Sequence, residues 1–185
     1  MTDFRQRKVN KFPLYGWFGI FLVILFWTLN WSLSGLRTHW GFFPLWLGYC
    51  LTIDSLVFIR KGTSMLRRNL FIYILLFFIS VPVWWLFEFF NGITRNWIYI
   101  GSSSFSDTEY YLLASLSFST VMPSVLETAE FAGTFKWIKN SKPGLKIGTD
   151  LIILSNLYIS GFIMLLLLVI FPEIFYPLHW LSLYL

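Results

Sequence analysis

The sequence predicts an all-α integral membrane protein, a bundle of five transmembrane helices followed by a short sixth apolar segment. Three observations predict it. Hydrophobic residues make up 57% of the 185 positions and charged residues only 12%, where soluble domains run at about 45–50% and about 25%. Five apolar stretches reach the length needed to cross a hydrocarbon core, roughly 18–20 residues. The basic residues also sort between alternate loops.

The stretches run approximately over 13–35, 41–59, 69–92, 110–134 and 151–171, and we read them as one transmembrane helical domain, 1–185. The first follows a basic arm, but its apolar run is too long for a signal peptide and no A-x-A site follows, so it is expected to remain as an anchor. The arm holds Arg5, Arg7, Lys8 and Lys11. The second loop holds Arg60, Lys61, Arg67 and Arg68, and the fourth holds Lys136, Lys139, Lys142 and Lys146. Arg37 and Arg95 stand alone in the first and third loops. The positive-inside rule then places the N-terminus in the cytoplasm. Trp27, Trp31, Trp40, Trp84, Trp85 and Trp97 fall towards the outer side, where aromatic belts form. The last stretch, 174–185, stops after 12 residues. It reads as the first half of a sixth helix of a longer chain, with an interfacial or re-entrant segment as the alternative.

The net charge of +5 fits loops against an anionic leaflet and calls for no nucleic acid. A lone cysteine, Cys50, excludes an internal disulfide, and its expected role is that of an apolar filler. Two histidines, His39 and His179, are too few for a diiron membrane oxygenase. Phosphate-binding, dinucleotide and H-E-x-x-H motifs are missing. No metal or other cofactor is expected.

What remains is a set of ionisable groups inside the apolar stretches, where they are costly and mark function. Asp54 lies six residues before Arg60, and Glu130 six before Lys136, so both sit roughly 9 Å inside the boundary. Glu127 lies one turn deeper, and Asn156 on the fifth stretch reaches the same level. Ser117, Thr120, Ser124 and Glu127 form one helical stripe, interrupted by Pro123, which frees a carbonyl that a neighbour must satisfy. Two readings of this inner group stand open: a functional cluster, or structural pairing of Asp54 and Glu130 with Arg60 or Lys136. Glu88 and Asn91 form a second group on the third stretch, beside Trp84 and Trp85. Glu88 reads either as a proton donor or as an interfacial carboxylate paired with Arg95.

Glu88, Asn91 and Trp97-Ile98-Tyr99, followed by a polar loop and a helix with Pro123 and Glu127, resemble a pattern in the lycopene cyclase domain and the membrane carotenoid hydratases. The resemblance covers roughly residues 84–130. The cyclase pattern has adjacent glutamates two residues after the proline, where this chain has Ser124-Val125-Leu126-Glu127. The strings WWLFEFFN and SLSFSTVMPSVLETAEF also resemble uncharacterised bacterial multi-pass proteins, which implies a bacterial cytoplasmic membrane.

The leading expectation is a protein that binds or modifies an apolar lipid, of isoprenoid type, by acid–base chemistry. Glu88 or Glu127 would donate the proton, Asp54, Glu130, Asn91 and Asn156 would orient or balance charge, and Trp84, Trp85 and Ser124 would line the site. The alternatives are a non-catalytic subunit of a larger membrane complex, with protein partners, and a small proton-coupled transporter.

Overall fold

The computed structural model describes residues 11–33, 40–100, 102–141 and 150–182. Among them every regular element is helical: α1 (Leu14–Ser32), α2 (Phe42–Lys61), α3 (Met65–Arg68), α4 (Leu70–Thr94), α5 (Asp107–Phe118), α6 (Val121–Ala132), α7 (Lys136–Lys139), α8 (Leu151–Ile170), α9 (Pro172–Phe175) and α10 (Leu178–Ser182). Five stretches are long and apolar enough to cross a membrane, α5 and α6 together forming the fourth. Their bounds sit within a few residues of those expected. Positions 34, 35 and 183–185 of the expected stretches, the arm up to Asn10, Arg37, His39, Lys142 and Lys146 lie outside the described residues.

Two bounds differ for local reasons. The fourth stretch starts at Asp107, not Tyr110. Ser106 and Glu109 form a capping box there, in which the Glu109 carboxylate accepts from the Ser106 N–H at 3.0 Å and the Ser106 Oγ accepts from the Glu109 N–H at 3.4 Å, satisfying two otherwise orphaned donors. The segment 172–182 is two short helices with a turn at Tyr176-Pro177, not the continuous start of a sixth helix. Pro177 has no N–H to give and disfavours helix in the residue before it.

The break expected at Pro123 lies a few residues earlier, at Ser119-Thr120. Pro123 is the third residue of α6, where its missing N–H falls among donors that have no intrahelical partner anyway. Ser80 of α4 satisfies the break from the side. Its hydroxyl donates to the Phe118 carbonyl at 2.5 Å and accepts from the Met122 N–H at 3.1 Å.

The chain divides into two compact units, 1–82 with 101–141, and 83–100 with 142–185. The division falls inside α4, at Pro82. In the first unit α1 packs on α2 through small residues. A Cβ placed on Gly48 would stand 2.7 Å from Leu22 Cβ and 2.8 Å from the Gly19 carbonyl oxygen, so the two backbones touch where only glycine allows it. On its other flank α2 packs against α6. In the second unit α8 packs against α9 and α10.

Candidate functional site

The site is built on α2 and α6 of the first unit. The end of α2 determines the first part of it. Gly62 takes a left-handed conformation, φ 76°, and its N–H bonds to the Phe58 carbonyl at 2.7 Å, a C-terminal stop that glycine adopts without steric cost. The chain then turns back, and Ser64 and Leu66 meet the fully buried Asp54. Asp54 Oδ2 accepts from Ser64 Oγ at 2.7 Å and from the Tyr15 hydroxyl of α1 at 2.8 Å, while Oδ1 accepts from the Leu66 N–H at 3.0 Å. Three donors thus satisfy a carboxylate that would otherwise be very costly to bury.

Glu130 is satisfied by cations. Arg68 grips it with both nitrogens, Nη1 to Oε1 at 2.7 Å and Nη2 to Oε2 at 2.8 Å, and Lys61 Nζ approaches Oε1 at 2.7 Å. The hydrogen-bonded carboxylate holds the Arg68 guanidinium above its ordinary value. These partners correct the sequence expectation, which paired Asp54 and Glu130 with Arg60 or Lys136. Arg60 instead donates to Thr134 Oγ1 at 2.6 Å and lies 4.3 Å from the Phe135 ring centroid. Arg67 lies over the rings of Tyr15 and Phe58, at 5.4 and 4.8 Å.

Glu127 differs from both. It is fully buried, and neither carboxyl oxygen has a hydrogen-bond partner. Thr120 and Ser124, on the same stripe of the helix, are buried as well, but the Ser124 hydroxyl is used by its own helix, donating to the Val121 carbonyl at 2.8 Å. The electrostatic neighbours of Glu127 include Asp54, Glu130 and Arg68. Cys50 of α2 and Tyr73 of α4 are buried in the same unit. The Tyr73 hydroxyl is a second buried group without a partner.

Tyr73 also forms part of the wall of a groove of about 510 Å³. This volume lies within the range of roughly 300–1,000 Å³ typical of small-molecule sites. Its lining runs along α4 from Leu70 to Val81, with Phe43 and Leu47 of α2 on one side and Leu112 and Leu116 of α5 on another. Leu66 of α3 borders one end.

In the second unit Glu88 joins α4 to the segment that follows it. Trp97 Nε1 and the Tyr99 hydroxyl donate to its Oε1, at 3.0 and 2.5 Å, and Asn91 Nδ2 stands 3.5 Å from its Oε2. Asn91 holds the Trp97 backbone from both sides. Its Oδ1 accepts from the Trp97 N–H at 3.1 Å and its Nδ2 donates to the Trp97 carbonyl at 3.0 Å. Arg95 takes the left-handed conformation, φ 51°, which reverses the chain so that these residues meet. Among the described residues Glu88 has no ion pair with Arg95, which corrects that alternative. Burial, and then the hydrogen bond to Glu88, push the Tyr99 hydroxyl up to about 12.

His179 of α10 is fully buried in the same unit, between the rings of Phe87, Trp97 and Trp180 with centroids at 5.1–5.9 Å. Its Nδ1 faces Thr94 Oγ1 at 3.2 Å and Asn96 Nδ2 at 3.4 Å. Burial lowers its pKa, opposed by the Phe87 carbonyl and Glu88.

The structure therefore brings Asp54, Glu127, Glu130 and Ser124 into one unit, and Glu88, Asn91, Trp84 and Trp85 into the other. Asn156, expected beside the inner carboxylates, is an exposed residue of α8 in the second unit, where its carbonyl accepts from Ser160 Oγ at 2.7 Å. Sequence reasoning missed Tyr15, Ser64, Lys61, Arg68 and Tyr73. Tyr73 carries no distinguishing signal in a run of aromatics. In the sequence Lys61 and Arg68 read as topology signals alone. Among the described residues no group of three or more His, Cys, Asp or Glu stands close enough to hold a metal ion. No protein-family model, curated protein or solved structure matches the chain.

Proposed function

We propose that this is an integral membrane protein, its N-terminus in the cytoplasm of a bacterium, that transfers a proton to an apolar lipid, with Glu127 as the acid. Support for the membrane comes from surfaces as well as lengths. Only 11–28% of each long apolar stretch is buried, and Leu14, Phe71, Leu112 and Ile152 stand exposed. A helix apolar all round belongs in a core or a bilayer. The basic ends of α2, α3 and α7 then lie at the cytoplasmic face.

One observation carries the choice of acid. Of the four carboxylates singled out from the sequence, Asp54, Glu88 and Glu130 are each held by named donors, and Glu127 is held by none. A buried polar group left without a partner is rare and calls for a reason. In this reading Tyr73, equally unpartnered and part of the groove wall, passes the proton from Glu127 to a chain lying in the groove. Protonation of a carbon–carbon double bond there, followed by return of a proton from a neighbouring carbon, balances without oxidant or cofactor. The aromatic walls at Phe43, Phe77 and Phe78 suit a transient carbocation. Glu88, which accepts from two aromatic side chains, takes a structural role.

Membrane lipids of cells carrying Glu127→Gln and, separately, Glu88→Gln are to be profiled by mass spectrometry at matched protein levels. A lipid changed by Glu127→Gln and not by Glu88→Gln is the expected result. An unchanged profile in the Glu127→Gln strain ends the proposal.

A further inference from the structure

We infer that the ligand of the α2–α4–α5 groove is a single-chain lipid bearing a phosphate, its chain along Leu70–Val81 and its phosphate against Arg67 and Arg68. The inference rests on the reading above for the chemistry but stands on separate features. The twelve-residue run from Leu70 to Val81 is about 18 Å of helix, long enough for an extended chain segment. The lining is apolar, and Leu70, Ile74, Phe78, Leu112 and Leu116 are exposed along the rim. The groove thus opens sideways, on the flank that would face hydrocarbon, and a chain can enter from the bilayer.

Charge complementarity selects the head group. The four-residue α3 that supplies Leu66 to the groove also supplies Arg67 and Arg68. Both are exposed. Arg67 packs on two rings and, among the described residues, has no carboxylate partner. Arg68 uses two nitrogen atoms on Glu130 and keeps further N–H groups for another anion. Lys61 shares the Glu130 carboxylate with Arg68, and the carboxylate of Asp54 is buried and occupied by its own donors, so the exposed side chains at this end of the groove leave cationic charge over. Guanidinium pairs with phosphate through short, charge-assisted bonds, whereas a neutral alcohol would gain nothing from this end.

The full chain, purified in a non-ionic detergent, is to be titrated with hexadecyl phosphate and with hexadecanol, and occupancy read by native mass spectrometry. One hexadecyl phosphate per chain is expected, bound at least about tenfold tighter than the alcohol. Leu116→Trp fills the groove and should abolish both. Arg67→Ala with Arg68→Ala should remove the preference for phosphate and leave the alcohol unaffected. Ser115→Trp serves as a second groove block if Leu116→Trp lowers the thermal midpoint. Equal binding of the two probes overturns the inference, as does phosphate occupancy that persists in the folded groove-block variant. Glu127→Gln should bind hexadecyl phosphate as the parent does. Binding intact beside an unchanged lipid profile would sink the acid role alone and leave the groove assignment standing.

Discussion

Ser80 stands inside the hydrogen bond that Phe118 would otherwise share with Met122, its hydroxyl 2.5 Å from the Phe118 carbonyl oxygen. One side chain of α4 thereby closes the gap between α5 and α6 and fixes the direction in which α6, with Glu127, continues. Ser80→Ala leaves a buried carbonyl and N–H without partners, at a cost of about 1–3 kcal/mol. Thermal unfolding in detergent should show a lower midpoint for Ser80→Ala than for Ser80→Thr, which keeps the hydroxyl. Equal midpoints would remove Ser80 from this role.

The α1–α2 contact admits no side chain at Gly48. Gly48→Ala should cost about 1–3 kcal/mol by overpacking, and Gly48→Leu should prevent a monodisperse fold altogether. Size-exclusion profiles of the two variants test the order of severity. Indifference to leucine at this position would contradict the backbone approach.

Glu88 closes a local loop, so its loss should be felt nearby. Glu88→Gln is expected to lower stability by about 2 kcal/mol, the scale of hydrogen bonds to a charged group. It should also bring the ionisation of Tyr99 down from about 12 towards the ordinary tyrosine value, read by alkaline absorbance titration. A Tyr99 titration unmoved by the substitution would argue against the contact.

His179 predicts a pH dependence of known sign. Its folded pKa is lowered, chiefly by burial, so below the ordinary histidine value of about 6.5 the unfolded chain binds more protons. The stability it permits is whole above that pH and is lost as the pH falls through it. The unfolding midpoint, followed by the fluorescence of the surrounding tryptophans, should be lower at pH 5 than at pH 7.5. His179→Phe should shrink the difference, and an unchanged difference would exclude this histidine as its source.

The fold was legible because length and apolarity act locally. Each long stretch declared itself by composition, and the capping box at Ser106 refined a boundary that hydrophobicity alone placed late. The site was legible only in part. Depth counting put Asp54, Glu127 and Glu130 at one level, since helix rise is fixed. It could not say which donors meet each carboxylate, because those come from residues 39, 10 and 62 positions away. Asn156 shows the limit of depth counting, since a depth counted along one helix does not say which helices pack together. Nothing in the sequence around His179 marks it, and the turn at Tyr176-Pro177 brings its ring among those of Phe87 and Trp97.

The partners of Asp54 have a consequence for the order in which the chain is made. Tyr15, Ser64 and Leu66 all precede residue 67, and the glycine contact between α1 and α2 is complete by the same point. Synthesis runs from the N-terminus, and early units fold first. The polar demands of Asp54 are therefore met before α6 leaves the ribosome. Glu127 arrives beside an Asp54 whose donors are already engaged, and is left for whatever enters later.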